Sequence, residues 1–276
     1  MVANLPDRNM TRIYVMTDLE GVTYVMREEQ TSGQGSEYEE ACHLLTGDVN
    51  AAVDGAIKGG ASEVVVNDLH GARGGFNFVP DLLHEGASYI TGGPRTSRHY
   101  GLDTGYDMAF MIGYHAMAGT QNGVLEHTMS TRVLFNVLIN GKRVGEMGID
   151  AAIVGSYGIP VVLISGCKRA VEEARGIIGD VEGIVTKEGI SRNFAKCLPP
   201  SRTKKMITEA AERVLTKKNV VKPLKFDPPI VVEVEYSHAN YADYASRAAG
   251  IERADSRTVR SRGNNVLEAF KPFGWL

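Results

Sequence analysis

The sequence of 276 residues predicts an α/β fold: a mostly parallel or mixed sheet flanked by helices, with a smaller C-terminal α/β part. Three observations support this. Short runs of β-branched and apolar residues recur along the chain, segments with helical spacing separate them, and several runs end in polar residues and glycine. Strands that alternate with helices are typical of a sheet covered by helices.

The first predicted strand and helix lie in the N-terminal part of the chain. The strand falls within residues 12–21, RIYVMTDLEG, an apolar run that ends in acids and a glycine. A helix is predicted over residues 38–58, where apolar and small residues recur at helical spacing. Gly59 and Gly60 follow, and glycine commonly ends a helix.

Four more strands are predicted before the C-terminal part, in EVVVNDLHG (63–71), MAFMIGYHA (108–116), RVLFNVLIN (132–140) and PVVLISG (160–166). The dipeptide Asn140-Gly141 predicts a hairpin turn after the third of them. Helices are predicted over residues 145–157 and 169–178, on either side of the last strand.

The chain is expected to divide into three parts. Residues 1–11 are predicted to form a disordered leader, and residues 12–215 a catalytic α/β domain. The basic, proline-containing stretch TKKNVVKPLKFDPP (216–229) is predicted to be a linker or a domain edge. Residues 216–276 then comprise this linker and a smaller C-terminal α+β region, whose strand IVVEVEY (230–236) alternates like a half-buried strand.

Composition excludes several classes of protein. A formal charge of -3 gives no reason to expect nucleic acid or an anionic membrane as a partner. No apolar run approaches the roughly 20 residues that span a bilayer, and the N-terminus lacks a secretory pattern, so a cytoplasmic location is predicted. Cys42, Cys167 and Cys197 are widely spaced and odd in number, which argues against a disulfide framework or a thiolate zinc site.

Ligand-type side chains follow three of the predicted strands. Asp18 and Glu20 are two residues apart, so an extended backbone directs both carboxylates to the same face. Asp68 and His70 repeat this arrangement after the second strand, and His115 follows the third. Because ligands of open α/β sheets bind outside the carboxyl ends of the strands, these groups are expected to converge on one crevice.

None of these residues indicates a metal by itself. Acids after a strand often cap helices, and a lone histidine is more often a hydrogen-bonded structural residue. Their repetition at equivalent strand ends favours a metal site. Carboxylates and imidazoles without cysteine suit zinc, manganese, cobalt or nickel, and zinc is the commonest hydrolytic choice.

Six motifs, taken together and in order, resemble the zinc-dependent D-aminopeptidase family of the DppA type. They are spread over residues 12–200 and comprise TDLEG, VVVNDLHG, GYHA, EHTM, NGKRVGEMG and ISRNFAKCLPP. The resemblance implies a metal cofactor of two zinc ions per chain, held by Asp18, Glu20, His70, His115 and Glu146.

The resemblance also implies that Asp18 bridges the two ions and that His127 is the catalytic residue. Local sequence would not have selected Glu146, which fits a first-turn carboxylate, or His127, which lies in a predicted loop. Without metal, the carboxylates of Asp18, Glu20 and Glu146 are expected to raise one another's pKa values. A departure from the family is Asp150, where members have asparagine.

The implied function is hydrolysis of the N-terminal residue of short peptides, with D-amino-acid peptides as substrates, by metal-activated water and a catalytic histidine. The resemblance also implies a ring-shaped decamer, so a homo-oligomer is expected. Two alternatives remain: a di-metal amidohydrolase acting on a non-peptide amide, and a non-catalytic zinc-binding assembly protein. The glycine-containing stretches GQGSEYE (33–39) and HGARGG (70–75) do not match a phosphate-loop spacing, which argues against nucleotide binding.

Overall fold

The computed structural model describes residues 11–216 and 221–275. Its larger sheet has seven strands, which lie side by side in the order β3 (Ser88–Ile90), β2 (Ala61–Asp68), β1 (Thr11–Thr17), β4 (Met108–Tyr114), β7 (Val161–Cys167), β8 (Glu182–Ser191) and β9 (Phe194–Cys197). Neighbouring strands are parallel from β3 to β8, and β9 is antiparallel to β8. The predicted fold class, a mostly parallel sheet with helices around it, is confirmed.

The smaller sheet is antiparallel and has five strands, in the order β11 (Glu252–Arg253), β12 (Thr258–Gly263), β10 (Ile230–Tyr236), β5 (Leu134–Ile139) and β6 (Lys142–Val144). The turn between β5 and β6 is the predicted Asn140-Gly141 pair, in which both residues have positive φ. Since β5 and β6 belong to this sheet, the predicted boundary at residue 216 does not coincide with the division between the two sheets.

The α-helices are α1 (Gly35–Lys58), α2 (Glu146–Ser156), α3 (Lys168–Ile178), α4 (Pro200–Thr216), α5 (Ala239–Ala245) and α6 (Val266–Phe270). Short 3-10 turns occur at Glu28–Gln30, Ala72–Gly74, Pro80–Leu82, Leu102–Thr104 and Lys271–Phe273. Among the described residues, no helix is long and apolar enough to cross a membrane. Of the predicted leader, residues 1–10 lie outside the described residues, and Thr11 already begins β1.

The core lies mainly between the larger sheet and its helices. Residues Val15, Val66 and Ile112, from three adjacent strands, are all fully buried. Strands buried on both faces appear in sequence as continuous apolar runs rather than as an alternating pattern. The segments IYVM, EVVV and AFMI therefore mark the centre of the sheet, and their ends mark its carboxyl edge.

A buried carboxylate fastens the loop after β1 to helix α1. Asp48 accepts hydrogen bonds from the Thr23 backbone N–H (3.2 Å) and the Thr23 hydroxyl (3.1 Å). The same hydroxyl lies 2.8 Å from the hydroxyl of Thr203 on α4. Burial raises the pKa of Asp48 from 3.8 to about 6 against the opposing effect of these hydrogen bonds.

We expect the stability of the metal-free protein to fall relative to Asp48→Asn as the pH rises. A folded-state pKa above the unfolded value means that the folded protein holds a proton that the unfolded chain has already released, so stability is lost on deprotonation. Relative to the variant, the free energy of unfolding should fall by about 2 kcal/mol between about pH 4.5 and about pH 7.5. Above that pH it should not fall further. Urea unfolding of both proteins across this range measures it. A difference that does not change with pH would contradict the raised pKa.

Candidate metal centre

Parallel pairing places the ends of the three central strands at one edge of the sheet. Strand β1 pairs with β2 on one side and with β4 on the other, all in the same direction. Asp18 follows β1 directly, His70 comes two residues after the end of β2, and His115 follows β4 directly. Glu146 enters the same region as the first residue of α2.

Two glycines allow the backbones that follow β1 and β4 to approach each other closely. A Cβ on Gly21 would lie 1.8 Å from the Tyr114 carbonyl oxygen, and a Cβ on Gly113 would lie 2.2 Å from that of Asp18. The Gly21 N–H donates to the Gly113 carbonyl at 2.8 Å. Any larger side chain at these positions would push the segment that carries Asp18 and Glu20 away from His115, which follows β4.

The predicted ligands meet around His115. Its Nε2 lies 3.2 Å from Asp18 Oδ2 and 3.3 Å from Glu146 Oε1, and its side chain is almost fully buried. On the other side of the cluster, His70 Nε2 lies 3.2 Å from Glu20 Oε1. The fold thus brings together five side chains from four separate segments of the chain.

His127 joins the same cluster from the loop between β4 and β5. Its Nε2 lies 3.4 Å from Glu146 Oε1, and its ring stacks on that of His115 with centroids 4.0 Å apart. Leu125 and Met129, two residues to either side, both have positive φ, which is strained backbone for these residue types. This conformation presents the edge of the His127 ring to the cluster.

Each of the three histidines points its Nδ1 at an oxygen acceptor and its Nε2 at the carboxylates. Nδ1 of His115 lies 2.9 Å from the Ala116 carbonyl, and Nδ1 of His127 lies 2.9 Å from the Leu125 carbonyl. Nδ1 of His70 lies 3.2 Å from Asn77 Oδ1. An Nδ1–H that donates to an oxygen fixes the tautomer in which Nε2 carries a lone pair, as metal-ligating histidines require.

The donor set fits a divalent cation. Among the described residues, Asp18 Oδ2, Glu20 Oε2 and His115 Nε2 are buried and have no hydrogen-bond partner. Buried polar atoms are normally paired, so three orphaned atoms in one cluster indicate a missing positive charge. Two groups have ligand atoms within 4.8 Å of one another, namely Asp18, Glu20 and His115, and His115, His127 and Glu146.

Without metal, the pKa values of the three acids in the cluster shift in different directions, depending on the histidine beside each one. Burial and the neighbouring charge of Glu20 raise the pKa of Asp18, as predicted. The same prediction is wrong for Glu20, whose pKa is lowered well below the ordinary value. Burial alone would raise it, but the adjacent His70 outweighs burial. In the same way, the neighbouring His115 lowers the pKa of Glu146 to about 2, although burial alone would raise it.

Protonated histidines therefore occupy the place of a cation when no metal is present. Burial by itself lowers the pKa of His115, but Asp18 and Glu146 together raise it well above the ordinary value. Glu20 likewise raises the pKa of His70 to about 10 against the effect of burial. Since metal and proton compete for the same Nε2 lone pairs, metal binding at this site must release protons.

Asp68 supports the centre instead of lining it. Its carboxylate accepts hydrogen bonds from the Asn77 backbone N–H (2.8 Å) and side-chain Nδ2 (2.9 Å). Asn77 in turn faces His70 Nδ1 through its Oδ1 and also accepts a 2.6 Å hydrogen bond from the Tyr38 hydroxyl. Asp68 and Asn77 thus orient the imidazole of His70, which is the usual task of residues behind a metal ligand.

Arg98 and Asp150 form a second supporting pair, which the sequence did not indicate. Nε and Nη2 of Arg98 donate to the two carboxylate oxygens of Asp150 at 3.1 and 3.2 Å, and Nη2 lies 3.6 Å from Glu146 Oε2. Asp150 also accepts a 2.7 Å hydrogen bond from the Tyr114 hydroxyl and lies 3.0 Å from His99 Nε2. Asp150 lies one helical turn after Glu146, so its position beside the cluster follows from local sequence. Arg98 has no such local indication.

The cluster forms the floor of an open cavity of about 550 Å³, here called the metal-site cavity. Besides the ligand-type residues, its walls include the loop residues Ser32, Met129 and Arg132. Such a volume is in the normal range for small-molecule sites, and the unsatisfied polar atoms on its floor are where a substrate would meet the metal.

Comparisons with known proteins agree with this geometry. A family model described as D-aminopeptidase matches residues 11–274. The chain belongs to this peptidase family. The D-aminopeptidase of Bacillus subtilis (strain 168) is 32% identical over 262 residues, which cover 94% of each chain. The solved structure described as Zn-dependent D-aminopeptidase DppA from Bacillus subtilis, a self-compartmentalizing protease, has a TM-score of 0.89, 30% identity and 95% coverage of each chain.

Membership in the D-aminopeptidase family confirms the resemblance drawn from the six motifs. Five of the six motifs contribute a side chain to the cluster. The sixth, ISRNFAKCLPP, spans the end of β8 and β9, and its Arg192 carbonyl accepts from the Leu125 N–H in the His127 loop (3.0 Å).

Proposed function

We propose that this protein is a di-zinc aminopeptidase that removes the N-terminal residue from short peptides, with peptides of D-amino acids as its substrates. The convergence of Asp18, Glu20, His70, His115 and Glu146 on the floor of one cavity carries the proposal. The relatives named above, which are described as D-aminopeptidase and as Zn-dependent, support the choice of metal and substrate.

The ligand arrangement suits two ions better than one. Glu20 lies beside His70, whereas His115 lies beside both Asp18 and Glu146. The two oxygens of Asp18 differ in partner: Oδ1 accepts from the Leu19 N–H at 2.9 Å, whereas Oδ2 has no hydrogen bond. In this proposal Asp18, Glu20, His70, His115 and Glu146 would hold the two ions.

Bound zinc lowers the pKa of water and polarises a carbonyl group, which are the two effects that amide hydrolysis requires. The protein's own contribution to proton transfer is His127. Its Nδ1–H remains on the Leu125 carbonyl, so Nε2 is free to accept a proton and to deliver it to the leaving amine. Glu146 Oε1 lies 3.4 Å from this Nε2, beside the proton once it is taken up, and the Met129 N–H donates to the same oxygen at 2.7 Å.

Assembly into a closed oligomer, a decameric ring, completes the proposal. The solved relative is described as a self-compartmentalizing protease. Enclosing the metal-site cavity of each copy within a ring would admit short peptides and exclude folded proteins. Sedimentation velocity of the purified protein measures the number of copies.

Metal analysis combined with a substrate panel tests the proposed function. We expect about two zinc ions per chain, because the cluster offers the five side chains named above as ligands. Chelation should abolish hydrolysis of D-alanyl di- and tripeptides, and added zinc should restore it. The matched L-peptides and simple non-peptide amides serve as comparison substrates in the same assay.

Three outcomes would contradict the proposal in different ways. Hydrolysis of simple amides but not of peptides would identify a di-metal amidohydrolase. Two bound zinc ions without turnover of any substrate in the panel would identify a structural zinc protein. Turnover that survives complete removal of metal would exclude metal-activated water.

A further inference from the structure

A second cavity adjoins the metal-site cavity and is here called the side cavity. It has a volume of about 350 Å³ and is lined by glycine backbone at Gly74, Gly75 and Gly93 together with Arg95 and Trp275. The two cavities share the wall residues Leu69, His70, Gly71, Arg98 and Met129. A molecule held at the metal centre therefore has direct access to the side cavity.

The two cavities differ in charge. The metal-site cavity contains four carboxylates, those of Asp18, Glu20, Glu28 and Glu146. Among the described residues that line the side cavity there is no carboxylate, and its charged or ionisable groups are His70, Arg95 and Arg98. Such a lining is complementary to an anion.

Of these groups, Arg95 is the one without an anionic partner. Arg98 is held by Asp150, and His70 faces Glu20. Within the described ranges, no carboxylate lies within ion-pair distance of Arg95, whose Nε donates to the Gly92 carbonyl at 2.9 Å. Its Nη2 is buried and has no hydrogen-bond partner, and burial lowers its pKa. The Asp68 carboxylate also attracts this guanidinium, but it lies beyond ion-pair distance and already accepts hydrogen bonds from Asn77, so the charge of Arg95 favours a further anion in the side cavity.

The backbone makes room for this guanidinium. A Cβ on Gly75 would lie only 2.1 Å from Arg95 Nη2, and Gly75 has a φ of +85°. Any other residue at position 75 would therefore be strained and would displace the arginine from the cavity wall.

We infer that the side cavity binds the C-terminal carboxylate of a short peptide substrate, with Arg95 as its charged partner. The inference rests on the proposed aminopeptidase function and specifies its substrate class: free peptide acids of two or three residues. Every such peptide carries one anion at its C-terminus, and in a dipeptide it lies one residue, about 3.5 Å of chain, beyond the scissile bond. In this inference, a peptide held at the metal centre extends its C-terminus into the adjoining cavity, which shares His70 and Arg98 with the metal-site cavity.

The test compares D-alanyl-D-alanine with D-alanyl-D-alaninamide as substrates of the zinc-loaded protein. The two peptides differ only in the charge at the C-terminus. We expect kcat/KM to be on the order of 10- to 100-fold higher for the acid, the usual value of a hydrogen bond to a charged group. The difference should fall mainly on KM, because the carboxylate lies away from the reacting atoms.

Variants assign the preference to one arginine. Arg95→Met should reduce the preference for the acid to near unity and leave kcat/KM for the amide almost unchanged, and Arg95→Lys should retain part of the preference. Arg73→Met is the matched control, since it removes a nearby charge that does not line the side cavity. Zinc content and thermal unfolding of each variant verify that the fold and the metal centre are intact.

The outcomes separate this inference from the function on which it rests. Equal kcat/KM for acid and amide in the unmodified protein would overturn the inference and leave the aminopeptidase function standing. If Arg132→Met, on the wall of the metal-site cavity, removed the preference instead of Arg95→Met, the carboxylate would lie elsewhere and the inference would fail. Hydrolysis of neither peptide would refute both the proposed function and the inference.

Discussion

Asp18→Asn is expected to weaken zinc binding by at least about 100-fold and to abolish peptide hydrolysis. Asp18 lies at the centre of the cluster, where its Oδ2 is buried, unpaired and 3.2 Å from His115 Nε2. Asparagine has nearly the same shape but no charge, so the change removes the electrostatic contribution to both proposed metal positions. Zinc affinity measured by competition with a chromogenic chelator gives the effect directly.

Glu28→Gln is the matched control for this experiment. Glu28 also lines the metal-site cavity, but it is half exposed and pairs with Arg192 on the far side of the opening. Its neutralisation should leave zinc affinity within a factor of about two, because exposed ion pairs contribute little. A zinc affinity of Asp18→Asn within a factor of about two of that of the unmodified protein would show that Asp18 is not a ligand.

His127→Ala is expected to retain both metal ions and to lose about 100- to 10,000-fold in kcat, the usual contribution of a general acid–base residue. Its ring is more exposed than that of His115 and lines the metal-site cavity, as a group that contacts substrate must. Zinc content, kcat and KM of the variant are measured together, with His43→Ala on the exposed side of α1 as the control.

The structure leaves one clear competing role for His127, because its Nε2 belongs to a potential ligand group with His115 and Glu146. Loss of zinc from His127→Ala would therefore make His127 a ligand and refute its assignment to proton transfer. Trapping a covalent acyl-histidine with a slow substrate would instead identify it as a nucleophile.

Two strands were the elements most accurately predicted from sequence. The run IVVEVEY matches β10, whose burial alternates, residue for residue, and the predicted strand PVVLISG differs from the fully buried β7 by a single residue at each end. Helix α4 and strands β8 and β12 were not predicted. In β8 and β12 the buried positions include the polar residues Thr186 and Ser261, which weaken the apolar pattern. Helix α4 does have apolar residues at helical spacing, namely Met206, Ile207, Ala210, Ala211, Val214 and Leu215.

Asp18, Glu20, His70 and His115 could be predicted from local sequence because each follows a recognisable strand. Glu146 and His127 were predicted only from the family resemblance. Arg95 and Arg98 were missed. Both lie in a connection without regular structure between β3 and β4, and their partners are far away in sequence: Arg98 contacts Asp150, 52 residues later. Asp68 was correctly placed near the centre, and its contact with Asn77, which faces His70, shows how it supports that histidine.

The sequence alone determined the central strands β1, β2, β4 and β7 and the ligand-type side chains that follow the first three of them, because burial and backbone preference are recorded in local residue patterns. Only the tertiary structure decided that β1 lies between β2 and β4, that the histidines turn Nε2 toward the carboxylates, and that Arg95 faces a cavity without acids. These facts depend on pairing between distant segments, for which a local pattern contains no distance.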